Sequence, residues 1–426
     1  MDLTPDIKTW RRGLGACALA IATLAAPLPA AAQSGQRADF VAAERALQRG
    51  DSAAYIPLRQ RLQGYALFPY LEYGELSAGL DTVADARVDA FLRDYADSPL
   101  AGSLRRAWLG KLADQGRWND FLAGYDGDKS PALRCDQVRA LLGTGQRSKA
   151  FARLPDLWRT GSSLPSECDG PIAEWRAAGG LTTDLIWERI GLAMDKGDEG
   201  LARRLAADLP AGDQVWVERW VRLRGRPQAV LDPELGADHP ARDDAIAYGL
   251  GQWVRQEPLA ALDAWIVLRE RYPFSAKARR SAELALANRL AREDAGKVFD
   301  FMRGLQPAAD DVELQEARIR AALLQHRWAL AARWIDALPD PARESERWLY
   351  WRGRAHEALG KTDDSSTLYS RVAQERTYYG FLAADRAGLP YAIRHRPAAP
   401  DAAVVARVKG LPVVARVAEL RAMDRD

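Results

Sequence analysis

One pattern recurs along this chain and constrains its fold more than any other: a helical stretch, a tight turn on Gly or His, and a second helical stretch opening on small or aromatic residues. It occurs as "WLGKLADQGRWNDFLAGY" at 108–125, "VRALLGTGQRSKAFARLPDLW" at 138–158 and "RIGLAMDKGDEGLARRLAADL" at 189–209. It returns as "IRAALLQHRWALAARWIDAL" at 319–338 and "WRGRAHEALGKTDDSSTLYSRV" at 351–372. Apolar residues within a copy tend to fall at i, i+3, i+4 and i+7, as Ala331, Trp334, Ile335 and Leu338 do, so each helix carries one stripe that must be buried. A single hairpin cannot cover its own stripe, and stacking against neighbours can.

The pattern therefore predicts an all-α chain built as an α-superhelix, a solenoid of helical hairpins in the manner of tetratricopeptide arrays, with stability spread over nearest-neighbour interfaces. The last copy, with Trp351, Gly360 and Tyr369, lies closest to that repeat. Spacing between copies is irregular, so the array is degenerate. No segment sustains strand alternation, and even "DQVWVERWVRLRG" at 213–225 reads as helix. Runs rich in Pro and Gly at 161–171 and 225–240 read as loops.

With 426 residues, 48% apolar and 28% charged, the chain is expected to be globular and ordered over most of its length. A net charge of +2 gives no reason to expect nucleic acid or an anionic membrane surface as a partner. Arginine far outnumbers lysine. Bidentate contacts to carboxylates are one explanation, and compositional bias with solvated helix faces is the other. Tryptophan, at 14 residues, is suited to stacking on sugar rings, yet Trp108, Trp118, Trp158, Trp334, Trp348 and Trp351 sit on the helical stripe, where such residues are core.

The N-terminus has the layout of a secretory signal over residues 1–32: Lys8, Arg11 and Arg12, an apolar run from Leu14 to Leu24, then Ala30-Ala31-Ala32 as the cleavage site before Gln33. The run is too short to span a bilayer, and no later stretch reaches the roughly 18 apolar residues required. The mature chain is thus expected in the periplasm, without a transmembrane segment. Most of the apolar run follows Cys17, whereas a lipoprotein box needs the run before its cysteine, so Cys17 is expected to leave with the signal. Cys135 and Cys168 remain, an even pair in an oxidising compartment, where a disulfide is the expected state. A catalytic thiol would need a partner, and the four histidines, His239, His326, His356 and His395, are all remote in sequence, which does not exclude one.

Several catalytic motifs fail on inspection. Ala355 followed by Gly360-Lys361-Thr362 lacks the first glycine of a phosphate-binding loop and any preceding strand, so Gly360 is a helix terminator. His356-Glu357 opens like a zinc-protease helix, but Gly360 stands where the second histidine must be. No G-x-S-x-G elbow occurs. No metal and no cofactor is expected, and no carboxylate singles itself out as a general acid.

The segment "LYSRVAQERTYYGFLAADRAGLPY" resembles the linker domain of soluble periplasmic lytic murein transglycosylases, with Tyr378, Tyr379, Gly380 and Phe381 as its signature. "RWLYWRGRAHEALG" at 347–360 is similar to the family's last superhelical hairpin, and "LPVVARVAELRAMDRD" at 411–426 to its linker helix. "YALFPYLEYGEL" at 65–76 and the stretch 98–125 are similar to its opening helices, and Cys135 and Cys168 stand where its disulfide is expected. In the segment itself Thr377 is expected to cap a helix, Tyr378, Phe381 and Leu382 to share one buried face, and Gly380 to admit a neighbouring helix.

The resemblance implies a superhelical domain over 33–365 and a linker domain over 366–426. It also implies action on peptidoglycan glycan strands at the muramic acid to glucosamine bond, giving a 1,6-anhydro end without water. Proteins of cell-wall synthesis or division are the protein partners it suggests. Catalysis in the family belongs to a lysozyme-like domain with a Glu-Ser pair and a Gly-Leu-Met-Gln type motif. The single Glu-Ser here, Glu344-Ser345, has no such motif after it, so that domain is expected after about residue 426, with no catalytic residue in this chain and no lytic activity of its own. A non-catalytic periplasmic scaffold that binds glycan or protein is the alternative.

Overall fold

The computed structural model describes residues 30–293, 296–393 and 399–425, with side chains from Ser34 onward. Its α-helices begin with α1 Ala30–Gln48, α2 Ser52–Arg61, α3 Phe68–Ala78, α4 Asp85–Asp94, α5 Pro99–Asp114, α6 Trp118–Gly124, α7 Pro131–Gly143 and α8 Arg147–Phe151. Next come α9 Leu154–Trp158, α10 Asp169–Ala177, α11 Thr183–Lys196, α12 Glu199–Ala206, α13 Ala211–Gly225, α14 Arg242–Gln256, α15 Pro258–Arg271 and α16 Ala276–Leu290. The last are α17 Gly296–Gly304, α18 Val312–Leu324, α19 Trp328–Asp336, α20 Glu346–Ala358, α21 Thr362–Val372, α22 Tyr378–Ala387, α23 Ala402–Lys409 and α24 Pro412–Ala422. The fold is all-α, with no strand among the described residues. The runs expected as loops carry short 3-10 turns at Ser166–Cys168, Pro227–Leu231 and Pro233–Gly236. Among the described residues no helix is long and apolar enough to cross a membrane. The expected leader lies outside the described residues up to residue 29, and the cleavage point after Ala32 falls in the first turn of α1.

Each of the five turns read from sequence closes on a residue in the left-handed region: Gly116 at φ 67°, Gly145 at 77°, Gly197 at 75°, Gly360 at 75° and His326 at 56°. Glycine adopts this backbone without a Cβ clash, and it lets the chain reverse within one or two residues. His326 takes it with a side chain, its ring 5.3 Å from that of Trp328. The stripe of Ala331, Trp334, Ile335 and Leu338 is buried throughout.

The described residues pack as two compact units, those up to 108 with those from 400 onward, and those between 109 and 399. In the larger unit one core runs from Cys135 to Ala321, followed by a cluster from Ile319 to Trp348 and another from Leu349 to Ala384. This is the succession of neighbour interfaces that stacked hairpins require. The disulfide links α7 to the turn Ser166–Cys168: Cys135 and Cys168 are both buried, with Sγ atoms 1.96 Å apart. Ion pairs cross between successive hairpins at a regular sequence interval. Arg159–Glu188, Arg176–Asp208, Lys277–Asp244, Arg280–Asp311, Lys297–Asp263 and Arg347–Glu316 are separated by 29 to 34 residues. Much of the arginine content is therefore bound to carboxylates and not simply solvated.

In the smaller unit the chain's last helix packs beside its first. Phe40, Tyr55, Leu62, Tyr65, Leu67 and Leu71 form a core that Leu420 and Met423 of α24 adjoin. Arg37 donates two hydrogen bonds to Glu419, at 2.9 and 3.0 Å, and Arg425 two to Glu44, at 2.7 and 2.6 Å. Arg416, itself buried, donates to Asp97 at 2.8 Å.

The boundary expected after residue 365 falls inside α21, which packs with α20 and α22, while α23 and α24 belong to the smaller unit. One detail expected for α22 is corrected. Tyr378 is 70% exposed, because the helix buries the small face of Gly380, Ala383 and Ala384 instead. The atoms nearest a Cβ at Gly380 belong to the turn just before the helix, with the Glu375 carbonyl oxygen at 2.0 Å.

Candidate functional site

Of the tryptophans after the leader, Trp118, Trp187, Trp328 and Trp351 are only half-buried, and Trp187 opens onto a cavity. This cavity, about 240 Å³, lies in the larger unit and is built by four helices. Thr182 caps α11 through the Leu185 N–H, and Gly197 ends it in the left-handed region, so Trp187, Gly191 and Asp195 recur every fourth residue along one face. From α14 come Asp244 and Tyr248, again four apart, and from α16 Lys277 and Ser281; Trp220 of α13 closes the wall. The rings of Trp187 and Trp220 are near-parallel at 6.5 Å, and Tyr248 meets Trp220 edge-on at 6.3 Å. Behind them His239 stacks on Trp216 at 4.4 Å and takes an edge contact with Trp187.

The polar rim mixes donors and acceptors. Lys277 donates to Asp244 at 3.1 Å, and Glu188 accepts from Arg159 at 3.1 Å. Asp195 stands on the exposed rim, yet the surrounding protein pushes its carboxyl above the ordinary range. That desolvation is the largest influence; Lys277 opposes it and Asp244 adds to it. Burial likewise raises the Tyr248 hydroxyl. An aromatic wall with carboxylates, an ammonium and hydroxyls around it can stack on an apolar ring face while hydrogen-bonding its edge groups. Sequence reasoning named none of these residues as a site. Their signal is faint: a fourfold step on α11 and α14, and the 33-residue interval from Asp244 to Lys277.

The other sequence-derived residues lie elsewhere. Glu344 and Ser345 precede α20, where Ser345 Oγ donates to the Ala342 carbonyl at 2.7 Å. A hydrogen bond from Arg371, with Arg343 beside it, holds the Glu344 carboxyl below the usual range, the reverse of what a general acid needs. His356 is buried, its imidazole pushed down by burial first and by Arg352. Thr377 accepts the Gly380 N–H at 3.1 Å; Tyr379 lies 5.6 Å from Tyr350 and Phe381 5.1 Å from Tyr391. Among the described residues no cluster of His, Cys, Asp or Glu could hold a metal ion.

No family profile matches the chain. The soluble lytic murein transglycosylase of Escherichia coli K12 is 26% identical over 447 aligned residues, covering 98% of this chain and 65% of that protein. The Salmonella typhimurium enzyme is 28% identical over 86% of this chain and 57% of its own length. Among solved structures, an inactive mutant of the lytic transglycosylase Slt from Pseudomonas aeruginosa superposes with a TM-score of 0.84 at 31% identity, over 90% of this chain and 63% of that one. The 70-kDa soluble lytic transglycosylase of E. coli gives 0.74 at 25% identity, over 92% and 63%. The chain thus spans less than two thirds of the length of these relatives. It is a homologue of the soluble lytic murein transglycosylases and shares their helical fold over the part that it spans.

Proposed function

We propose that this chain is the superhelical and linker part of an exported lytic transglycosylase, and that it holds peptidoglycan glycan strands for a lysozyme-like domain that cleaves them. The observation that carries this reading is the match to soluble lytic murein transglycosylases along 98% of the chain. In this reading the full protein breaks the muramic acid to glucosamine bond and leaves a 1,6-anhydro end. Residues 33–365 form the superhelical part and 366–426 the linker. The setting of Glu344 counts against that residue as the general acid, because Arg371 and Arg343 hold its carboxyl low. The cleft of Trp187, Trp220 and Tyr248 is the proposed contact with a sugar ring.

A zymogram tests the division of labour, comparing residues 33–426 with the same segment fused to a family catalytic domain. The fused form is expected to clear murein and the short form is not. Clearing by the short form, abolished by substituting one of its carboxylates, would overturn the assignment. Co-sedimentation of the short form with insoluble peptidoglycan tests the cleft: Trp187→Ala is expected to weaken binding severalfold, and unchanged binding rules the cleft out.

A further inference from the structure

A second depression in the larger unit, about 520 Å³ in volume, has the opposite electrostatic character. Its wall carries Lys129, Arg134 and Arg153, with Tyr125, Asp128 and Gln137 between them. In a chain where many arginines bridge to carboxylates, neither Arg134 nor Arg153 has a carboxylate partner among the described residues. Both nevertheless lie near the Tyr125 hydroxyl, whose pKa burial raises first and Asp128 next, with the two arginines opposing them.

The backbone beneath these cations is fixed. Arg134 lies between buried Leu133 and Cys135, and the Cys135–Cys168 disulfide ties that turn of α7 in place. Arg153 adjoins buried Leu154. Tyr125 stacks on buried Phe121 at 5.6 Å and donates its hydroxyl to the Asp128 carbonyl at 2.7 Å. The Asp128 carboxylate in turn accepts the Ser130 N–H at 2.7 Å, so the one acid in the wall is already engaged by its own loop. Two planar guanidinium forks and an ammonium thus face one cavity against the single Asp128 carboxylate, leaving an excess of positive charge in its wall. Guanidinium forks match the two oxygens of a carboxylate or phosphate.

We propose that Arg134, Arg153 and Lys129 form a binding site for an oxyanion, a carboxylate or a phosphate, with Tyr125 and Gln137 as its polar wall. The site does not depend on the glycan cleft, which is built by other helices and carries net negative charge. A peptide carboxylate and free phosphate share this chemistry, and the experiment separates them.

The full chain is titrated with N-acetyl-D-glutamate, with its diamide, and with inorganic phosphate, by calorimetry at low salt. Saturable binding of N-acetyl-D-glutamate but not of the diamide is expected, weakened at least fivefold in Arg134→Gln and in Arg153→Gln and weakened again at high salt. Circular dichroism melts of both variants check that they remain folded. Saturation by phosphate alone, with the same loss in both variants, assigns the oxyanion site to phosphate and removes the peptide source. No saturation by either anion, or binding that both variants retain, overturns the proposal.

Discussion

Replacing Glu419 with alanine should loosen the smaller unit at a contact between residues more than 350 positions apart. Glu419 accepts two hydrogen bonds from Arg37 and one from the Tyr65 hydroxyl, at 2.7 Å and 354 residues' separation. Its side chain is 13% exposed and that of Arg37 31%. In Glu419→Ala, Arg37 turns to water and its share of the loss is small. Tyr65 is buried and loses a charge-assisted hydrogen bond, which costs about 2 kcal/mol. The Arg37 hydrogen bond, aided by that of Tyr65 and opposed by burial, holds the Glu419 carboxyl below its usual 4.5. A depressed folded pKa means that the contribution is complete above the unfolded carboxylate value and is lost as pH falls through the folded one. The difference between wild type and variant should therefore be constant near neutrality and shrink below about pH 4. Hydrogen exchange read by mass spectrometry is the assay, because it separates local opening from global unfolding. Peptides of α1, α3 and α24 should lose protection at pH 7 while those of α14 to α18 keep theirs. Full protection of α1 in the variant, or equal losses in both units, would refute the reasoning.

Three further outcomes are expected. Gly380→Ala should cost about 1–3 kcal/mol in urea unfolding, because its Cβ would press on the Glu375 carbonyl 2.0 Å away; an unchanged midpoint counts against that crowding. His326→Gly should gain up to about 1 kcal/mol by relieving a left-handed backbone, and a lower melting temperature would mean that the contact with Trp328 matters more. Removing the disulfide through Cys135→Ala with Cys168→Ala should cost about 2–4 kcal/mol for a loop of 33 residues, with equal stability of the two forms as the contrary result.

The hairpins were legible because a turn of this kind needs a residue that tolerates positive φ, and Gly116, Gly145, Gly197 and Gly360 announce themselves. The stripe through Trp334 and Ile335 was legible for a similar reason, since its period is local. Pairing of α24 with α1 was not, because no local pattern in Glu419 or Arg37 says which remote carboxylate and guanidinium will meet. Tyr378 misled because a large aromatic looks like core, whereas the closest packing in α22 is made by the small residues Gly380, Ala383 and Ala384. The Trp187 cleft was hidden among other helical tryptophans, such as Trp158, Trp253 and Trp265, that their neighbours cover. Burial of an indole depends on what the adjacent hairpin presents, and that is set at an interval of about one hairpin, beyond the reach of helical periodicity.

That same interval explains what the exposed ion pairs accomplish. Each is worth little by itself, and the buried stripes already drive the stack together. Stripes of Ala, Leu and Trp tolerate small rotations of one helix against the next, however, and charges at fixed positions do not. On α16, Lys277 reaches back to Asp244 of α14, while Arg280, three residues on, reaches forward to Asp311 and Glu313 at the start of α18. Turning α16 by one residue, about 100°, would carry both cations away from their partners at once. The buried stripe of Ala278, Ala282 and Leu286 already forbids so large a turn, and the two weak pairs facing opposite neighbours add to that preference. Asp244 and Lys277 also line the aromatic cleft, so the pair that ties α16 to α14 is at the same time part of the cleft's polar rim.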